Sequence, residues 1–235
     1  MTNDTINIRN TEIITGIFSI LAGLALILTI ITRFEFISFF SSLNEDLDYL
    51  LDNMQLLKLN SIIWLITGLI ITVSASTFIV LLNPWHKLFS WLTGFFMILA
   101  AAMISVSGIK GLSVIEILLH FQDLELTNHE ILKLSIFTLA REKELYIIMA
   151  YSLLGFGFLS LGLFALRTRS MTIATGVVSI ITGILLPVFT SLIPESILAD
   201  IGLVAGSITF MVIGVRILFN GLSLKKQPEK KNKKT

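Results

Sequence analysis

Cysteine is absent from this chain of 235 residues. Neither disulfide bonds nor thiolate ligands can therefore hold its loops together or bind a metal ion. No GxSxG, HExxH, P-loop or dinucleotide-binding motif occurs in a supporting context. Charged side chains make up only 14% of the residues and are scarce inside the apolar stretches, so proton relays at mid-membrane depth are also disfavoured. These absences make an enzyme a less favoured class and predict no cofactor.

Six long apolar windows dominate what is present. They span residues 11–32, 61–82, 88–109, 145–166, 171–193 and 197–222. Each reaches the length of about 20 residues that a helix needs to cross a hydrocarbon core. Hydrophobic residues make up 54% of the chain, and no other part of it can form a large core. We therefore predict an all-α, polytopic membrane protein whose residues 1–222 form one six-helix transmembrane domain in a lipid bilayer.

The charges outside the windows sort into two sets that alternate along the chain. Segments 33–58, 110–144 and 194–200 carry thirteen acidic and six basic residues, whereas segments 1–12, 83–87, 167–170 and 216–235 carry three acidic and eleven basic residues. Because basic residues favour the cytoplasmic side, we predict a cell-membrane protein with both termini in the cytoplasm. Residues 223–235 are expected to be a disordered basic tail that can attract anionic lipid. We expect no nucleic-acid partner.

The first window could be either a cleaved signal peptide or a retained helix. Only one basic residue precedes it, it is longer than a usual apolar signal region, and no small-residue cleavage pattern precedes Arg33. These features favour a retained signal-anchor helix.

The two long outer segments, 33–58 and 110–144, have patterns of their own. A capping box runs from Ser42 to Glu45, and leucines then recur at helical spacing with acidic residues elsewhere around the helix. A second capping box runs from Thr127 to Glu130. We predict that these segments form short amphipathic helices that cap the bundle.

Small residues recur at fixed positions in the first, third and fifth windows. Each of these windows contains a stretch that begins with Thr-Gly. The stretches are TGIFSILAG from Thr15, TGFFMILAA from Thr93 and TGVVSIITG from Thr175. The pattern suggests three tandem hairpins, or a packing rule that the three helices share. Small residues two turns apart let backbones approach in lipid. The predicted packing positions are Gly16, Gly23, Gly94, Ala101, Gly176 and Gly183, with Gly202 and Gly206 as a GxxxG pair in the sixth window.

One group of side chains has the spacing of a metal site. Glu116, His120 and Asp123 would share one face of a helix, and His129 or Glu130 could supply a fourth ligand for zinc. The alternative is a histidine that is solvated or salt-bridged among interfacial carboxylates.

Arg216 is the ionisable residue nearest to mid-depth in any window. It lies about 9 Å before the end of the sixth helix, so its side chain can extend to the cytoplasmic interface. The alternative places Arg216 and Asn220 in an inner pocket for an anion or a lipid head group.

The order of features resembles a known family. An acidic segment ends in DYLLDNMQLLKLN, the next helix closes with VLLNPWHKLFSWL, a long third segment has an outer loop, and the last helix ends in RILFNGLSLK. Together they resemble the prokaryotic multi-pass membrane proteins of domain-of-unknown-function family 4386. The resemblance spans nearly the whole chain and implies a fold of six or seven helices, but no activity.

Three functions remain open from the sequence. The leading hypothesis is a non-enzymatic multi-pass membrane protein with a structural, sensory or partner-binding role. The alternative is a small transporter or lipid-binding permease with a pocket among helices one, three and five. The second alternative is an intramembrane or metal-dependent enzyme. The sequence identifies no protein partner and no oligomeric state.

Overall fold

The computed structural model describes residues 3–32, 50–121, 129–168, 171–192 and 197–223. Within these ranges the chain forms six long helices and no strands. They are α1 (Asn3–Ile31), α2 (Met54–Leu82), α3 (Lys87–Phe121), α4 (His129–Thr168), α5 (Ile173–Leu192) and α6 (Ile197–Ser223). Each contains a stretch that is long and apolar enough to cross a membrane. The predicted all-α bundle of six transmembrane helices is confirmed.

The helices pack in chain order as a closed ring, in which each helix contacts its two sequence neighbours and α6 packs on α1. Neighbours are antiparallel. For example, Ser19 of α1 hydrogen-bonds Ser74 of α2. Thr32, which directly follows α1, accepts a hydrogen bond from Asn60, which lies earlier in α2 than Ser74. The end of the bundle where α1 begins and α6 finishes is called the termini end. The opposite end, which carries segments 33–58 and 110–144, is called the loop end.

Large side chains fill the centre of the ring. All six helices contribute to one buried apolar cluster, in which Phe158 and Phe210 are fully buried. Their ring centroids lie 4.8 Å apart, edge to face, and this contact joins α4 to α6 although the two helices are not ring neighbours. Trp64 and Tyr151 join α2 to α4 in the same way, with centroids 6.1 Å apart. Dispersion contacts of this kind hold helices together in lipid, where the hydrophobic effect between helices is weak.

The second outer segment differs from the expected short helices. Residues 110–121 continue α3, and residues 129–144 begin α4. With 35 and 40 residues, these helices are about 52 and 60 Å long, well beyond a hydrocarbon core of about 30 Å. The continuation is possible because neither stretch contains proline, and because Gly108 and Gly111 pack directly on α2.

A second apolar cluster joins α2, α3 and α4 at the loop end. Its buried members are Leu50, Leu57, Val114, Ile115, Leu118, Ile136 and Ala140. Leu50 and Leu57 come from the amphipathic pattern predicted for the first outer segment, and they pack in this cluster with residues of α3 and α4. Residues 33–49 of that segment, including the Ser42 to Glu45 capping box, lie outside the described residues, as does the tail after residue 223.

Glycines bring α1 and α6 into close backbone contact. A Cβ atom at Gly16 would lie 2.8 Å from the Gly214 carbonyl oxygen, and one at Gly214 would lie 2.7 Å from the Gly16 carbonyl oxygen. A Cβ atom at Gly23 would lie 2.6 Å from the Ser207 carbonyl oxygen. A side chain at any of these three glycine positions would require one of the two helices to move.

The α4–α5 pair is built in the same way. A Cβ atom at Gly183 would lie 2.8 Å from the Gly155 carbonyl oxygen, and one at Gly176 would lie 3.3 Å from the Gly162 carbonyl oxygen. The small-residue face of α5 is therefore covered by α4.

The third close pair is α2 and α3. Gly94 packs on the Ile79 side chain, and the Ala101 carbonyl oxygen lies 2.7 Å from the Cβ position of Gly68. Each Thr-Gly helix, α1, α3 or α5, thus packs its small-residue face on the helix that precedes it around the ring. The close glycine contacts thus join α6 to α1, α2 to α3 and α4 to α5, and α3 also packs extensively on α4. The three tandem hairpins stay a prediction.

The GxxxG pair of α6 makes looser contacts. A Cβ atom at Gly202 would meet nothing nearer than the Phe189 side chain at 3.7 Å, and one at Gly206 would lie 3.3 Å from the Leu186 side chain. The tight contact of α6 is made at Gly214, on its face toward α1.

Candidate functional site

The predicted metal group lies at the far end of α3. The side chains of Glu116 and His120 are both exposed there. Asp123 lies outside the described residues, and the side chains of His129 and Glu130 are also undescribed. Among the residues that are described, no three His, Asp or Glu side chains come together as metal ligands do. The metal site stays a prediction.

A buried lysine lies at the loop end, and the sequence analysis did not single it out. Lys143 of α4 is only 2% exposed. Its Nζ donates a hydrogen bond of 3.1 Å to Oδ1 of Asn60 on α2. The Asn60 Nδ2 in turn donates to the carbonyl oxygen of Thr32 at 2.8 Å. This polar network joins α4 to α2 and to the end of α1.

The neighbouring helix leaves room for the network. Gly111 of α3 faces Ser61 and the Cε atom of Lys143, which lies 3.7 Å from the glycine Cβ position. A side chain at this position would overlap the Ser61 hydroxyl. The Ser61 hydroxyl already donates to the Leu57 carbonyl oxygen at 2.8 Å. Gly111 therefore allows α3 to approach α2 and α4 where the lysine stem is buried.

Aromatic rings separate the network from the centre of the ring. Trp64 lies one turn beyond Asn60 along α2, and Tyr151 lies two turns beyond Lys143 along α4; both are 3% exposed. Removing an ammonium group from water is costly unless its donors are satisfied. The hydrogen bond to Asn60 satisfies one donor of the buried Lys143 side chain.

A groove opens between α5 and α6 near the termini end. Its volume is about 550 Å³. Its lining residues are Thr172, Ala174, Thr175 and Val178 on the α5 side and Met211, Val212, Val215, Arg216 and Phe219 on α6. The side chains of Val212, Val215 and Phe219 are exposed, so the groove faces the surroundings of the bundle and not its centre.

The close pairs explain why the groove opens there. Nearer the loop end, α5 and α6 are held together by a 2.7 Å hydrogen bond between the hydroxyls of Thr182 and Thr209. Toward the termini end, Gly176 holds α5 against α4 and Gly214 holds α6 against α1. Each helix follows its tight partner, and a gap is left between the two.

Of the described residues that line the groove, Arg216 is the one with a charged side chain, and Asn220 does not line it. The Arg216 side chain is exposed, and Asn220 is half-buried. Among the described residues, Arg216 has no hydrogen-bond or ion-pair partner. The structure thus places one of the two predicted pocket residues in a groove that is otherwise formed by apolar and threonine side chains.

Comparisons with models of protein families, with curated proteins and with solved structures find no match. The resemblance to family 4386 stays a prediction. The function is therefore inferred from the geometry of the chain itself.

Lys143 was missed because it lies outside every apolar window, in a segment of alternating charges. The spacing between Lys143 and the buried residues of α4 indicates that Lys143 is buried as well. Ala140, Lys143, Ala150 and Leu154 follow one another at intervals of three, seven and four residues, and all four are buried. Extending the periodicity of the fourth window backward past residue 145 would have placed Lys143 on the inner face.

Proposed function

We propose that this chain is a non-enzymatic, multi-pass protein of the cell membrane with a structural, sensory or partner-binding role. The observation that carries the proposal is the packed centre of the ring. Phe78, Phe158 and Phe210 are fully buried there, and the aromatic contacts described above join helices that are not neighbours in the ring. A transporter that works through its centre would need a polar, water-accessible path between the helices.

The proposed orientation places the termini end in the cytoplasm. Arg9, Lys87 and Arg167 belong to the parts of α1, α3 and α4 at that end. The segments of the loop end carry most of the acidic residues. This distribution follows the positive-inside rule, and it supports the proposed topology with both termini inside.

Thiol labelling tests the packed centre directly, because the chain has no cysteine of its own. Ala22→Cys and Ala150→Cys introduce thiols at positions that are fully buried in the central cluster. We expect neither to react with a charged, membrane-impermeant thiol reagent from either side of the membrane. Glu116→Cys, at an exposed position in the extension of α3, is the positive control. Labelling of both alanine positions at the rate of the control would overturn the proposal.

A ligand-binding role is the second candidate, and the groove between α5 and α6 is the observation that favours it. The alternative derived from the sequence placed a pocket among the small-residue faces of helices one, three and five. In the described residues those faces pack on α6, α2 and α4. The groove opens instead on the outside of the ring, where a lipid is the ligand at hand.

A further inference from the structure

We propose that the groove between α5 and α6 binds one phospholipid whose head group carries a net negative charge. The proposal rests on the groove and on Arg216, and it holds whether or not the centre of the bundle is closed to solutes. It develops the second candidate function by naming the ligand class and the residue that selects it.

Polarity changes along the groove as it does along a phospholipid. Thr172 precedes the first residue of α5, and Arg216 lies six residues before Leu222, where the candidate span of α6 ends. Six residues correspond to about 9 Å, which a guanidinium group can cover by extending toward the interface. Val178 and Met211 lie farther from the termini end. Arg216 can therefore reach head-group depth beside Thr172 and Phe219, and Val178 and Met211 lie at acyl-chain depth.

The charge of the lining selects the head group. Among the described residues, the cation of Arg216 has no ion-pair partner, and none of those that line the groove is Asp or Glu. A guanidinium group binds phosphate through two parallel hydrogen bonds. In a zwitterionic head group, the lipid's own cation balances the phosphate charge. In a head group with a net negative charge, the phosphate charge is balanced by Arg216.

Charge also argues against two other occupants. The chain's own tail contains Lys225, Lys226, Lys230, Lys231, Lys233 and Lys234, and these would repel Arg216. A two-fold contact whose axis passes through the groove would place the Arg216 of a second copy close to the first across an apolar surface. An anionic lipid satisfies both the charge and the apolar walls.

Native mass spectrometry of the full-length protein from nanodiscs tests this assignment. The nanodiscs would contain phosphatidylglycerol and phosphatidylcholine in equal amounts, and the retained lipid would be counted per chain. We expect the wild type to retain one phosphatidylglycerol in preference to phosphatidylcholine. Arg216→Gln should lower that preference about tenfold. Lys87→Gln, which removes an exposed positive charge at the same end but outside the groove, should leave it unchanged.

A second variant tests the shape of the groove. Ala174 lines it and is exposed, so Ala174→Phe should fill part of the space without changing the charge or the core. Retention of the lipid should fall in this variant, while the secondary structure measured by circular dichroism stays the same. An excess of inorganic phosphate should not displace the lipid.

Three results would overturn the proposal. They are equal loss of phosphatidylglycerol in Arg216→Gln and Lys87→Gln, full retention in Ala174→Phe, and release of the lipid by inorganic phosphate. The first would indicate general surface attraction, the second binding elsewhere, and the third a site for free anions. None of them depends on the labelling of core cysteines, so this proposal and the packed-centre proposal fail independently.

Discussion

Lys143 of α4 and Asn60 of α2 are joined by a 3.1 Å hydrogen bond from Nζ to Oδ1 at the loop end of the bundle. The ammonium can only donate, so the amide oxygen faces Lys143 and the amide nitrogen faces Thr32, whose carbonyl oxygen accepts at 2.8 Å. That carbonyl follows the last residue of α1, where helical partners run out. Asn60 thus accepts a hydrogen bond from the buried lysine and donates one to the end of α1.

Asn60 should be important for stability. Asn60→Ala removes the acceptor of a buried ammonium group and the donor to Thr32, so we expect a loss of about 2–4 kcal/mol in the free energy of unfolding. Ser113→Ala, which removes an exposed hydroxyl on α3, should change it by less than about 0.5 kcal/mol. Equilibrium unfolding in mixed micelles measures both. Equal small effects would mean that the network contributes little to stability.

Two glycines of α6 should respond in opposite ways to alanine. Gly214→Ala places a Cβ atom 2.7 Å from the Gly16 carbonyl oxygen, and forcing α1 and α6 apart should cost about 1–3 kcal/mol. Gly202→Ala meets nothing nearer than 3.7 Å and should be neutral, or stabilising by up to about 1 kcal/mol, because alanine favours the helix. Thermal unfolding in one detergent compares the two variants. A larger loss at Gly202 would contradict the pairing of α6 with α1.

Two phenylalanines of α4 differ in location: one lies in the core and the other on the lipid-facing surface. Phe158 is fully buried against Phe210, whereas Phe156 is 47% exposed. Phe158→Ala should destabilise the protein by about 3–5 kcal/mol through the cavity that it leaves. Phe156→Ala should cost clearly less, since lipid or detergent replaces the lost contacts. The measurement is again the free energy of unfolding, and similar losses would indicate that Phe156 also lies in an interface.

Exposed positions along α3 should differ in their access to water. Glu116 and Phe95 are both exposed, but Phe95 lies in the apolar part of α3 and Glu116 in its extension. A charged thiol reagent added to intact cells should label Glu116→Cys and not Phe95→Cys. Lys87→Cys, at the termini end, should be labelled only after the membrane is permeabilised. Labelling of Lys87→Cys in intact cells would reverse the proposed orientation.

The sequence was most informative about individual helices. Six apolar windows predicted six transmembrane helices, because the thickness of a bilayer sets the length of apolar chain that crosses it. The prediction was less accurate at the helix ends. The window 88–109 became α3, Lys87–Phe121, because nothing in the residues that follow breaks a helix, and a change from apolar to polar residues does not end one.

Contacts between helices were only partly visible in the sequence. Gly16 and Gly176 were identified from spacing, but their partners Gly214 and Gly162 were not. A small residue shows that another helix can approach closely at that position. Which helix does so depends on the arrangement of all six helices. Arg216 was noted for its depth, whereas the groove around it exists only because α5 and α6 each follow a different neighbour.

By itself, then, the sequence determined the membrane class, the number of crossings and the division of charge between the two ends, since each depends on residues close together in the chain. The tertiary structure alone decided the closed ring, the burial of Lys143 beside Asn60 and the groove that contains Arg216. These features depend on residues far apart in the chain: Asn60 and Lys143 are separated by 83 positions. No local pattern specifies which distant side chain will meet another, because that choice is made when all six helices pack together.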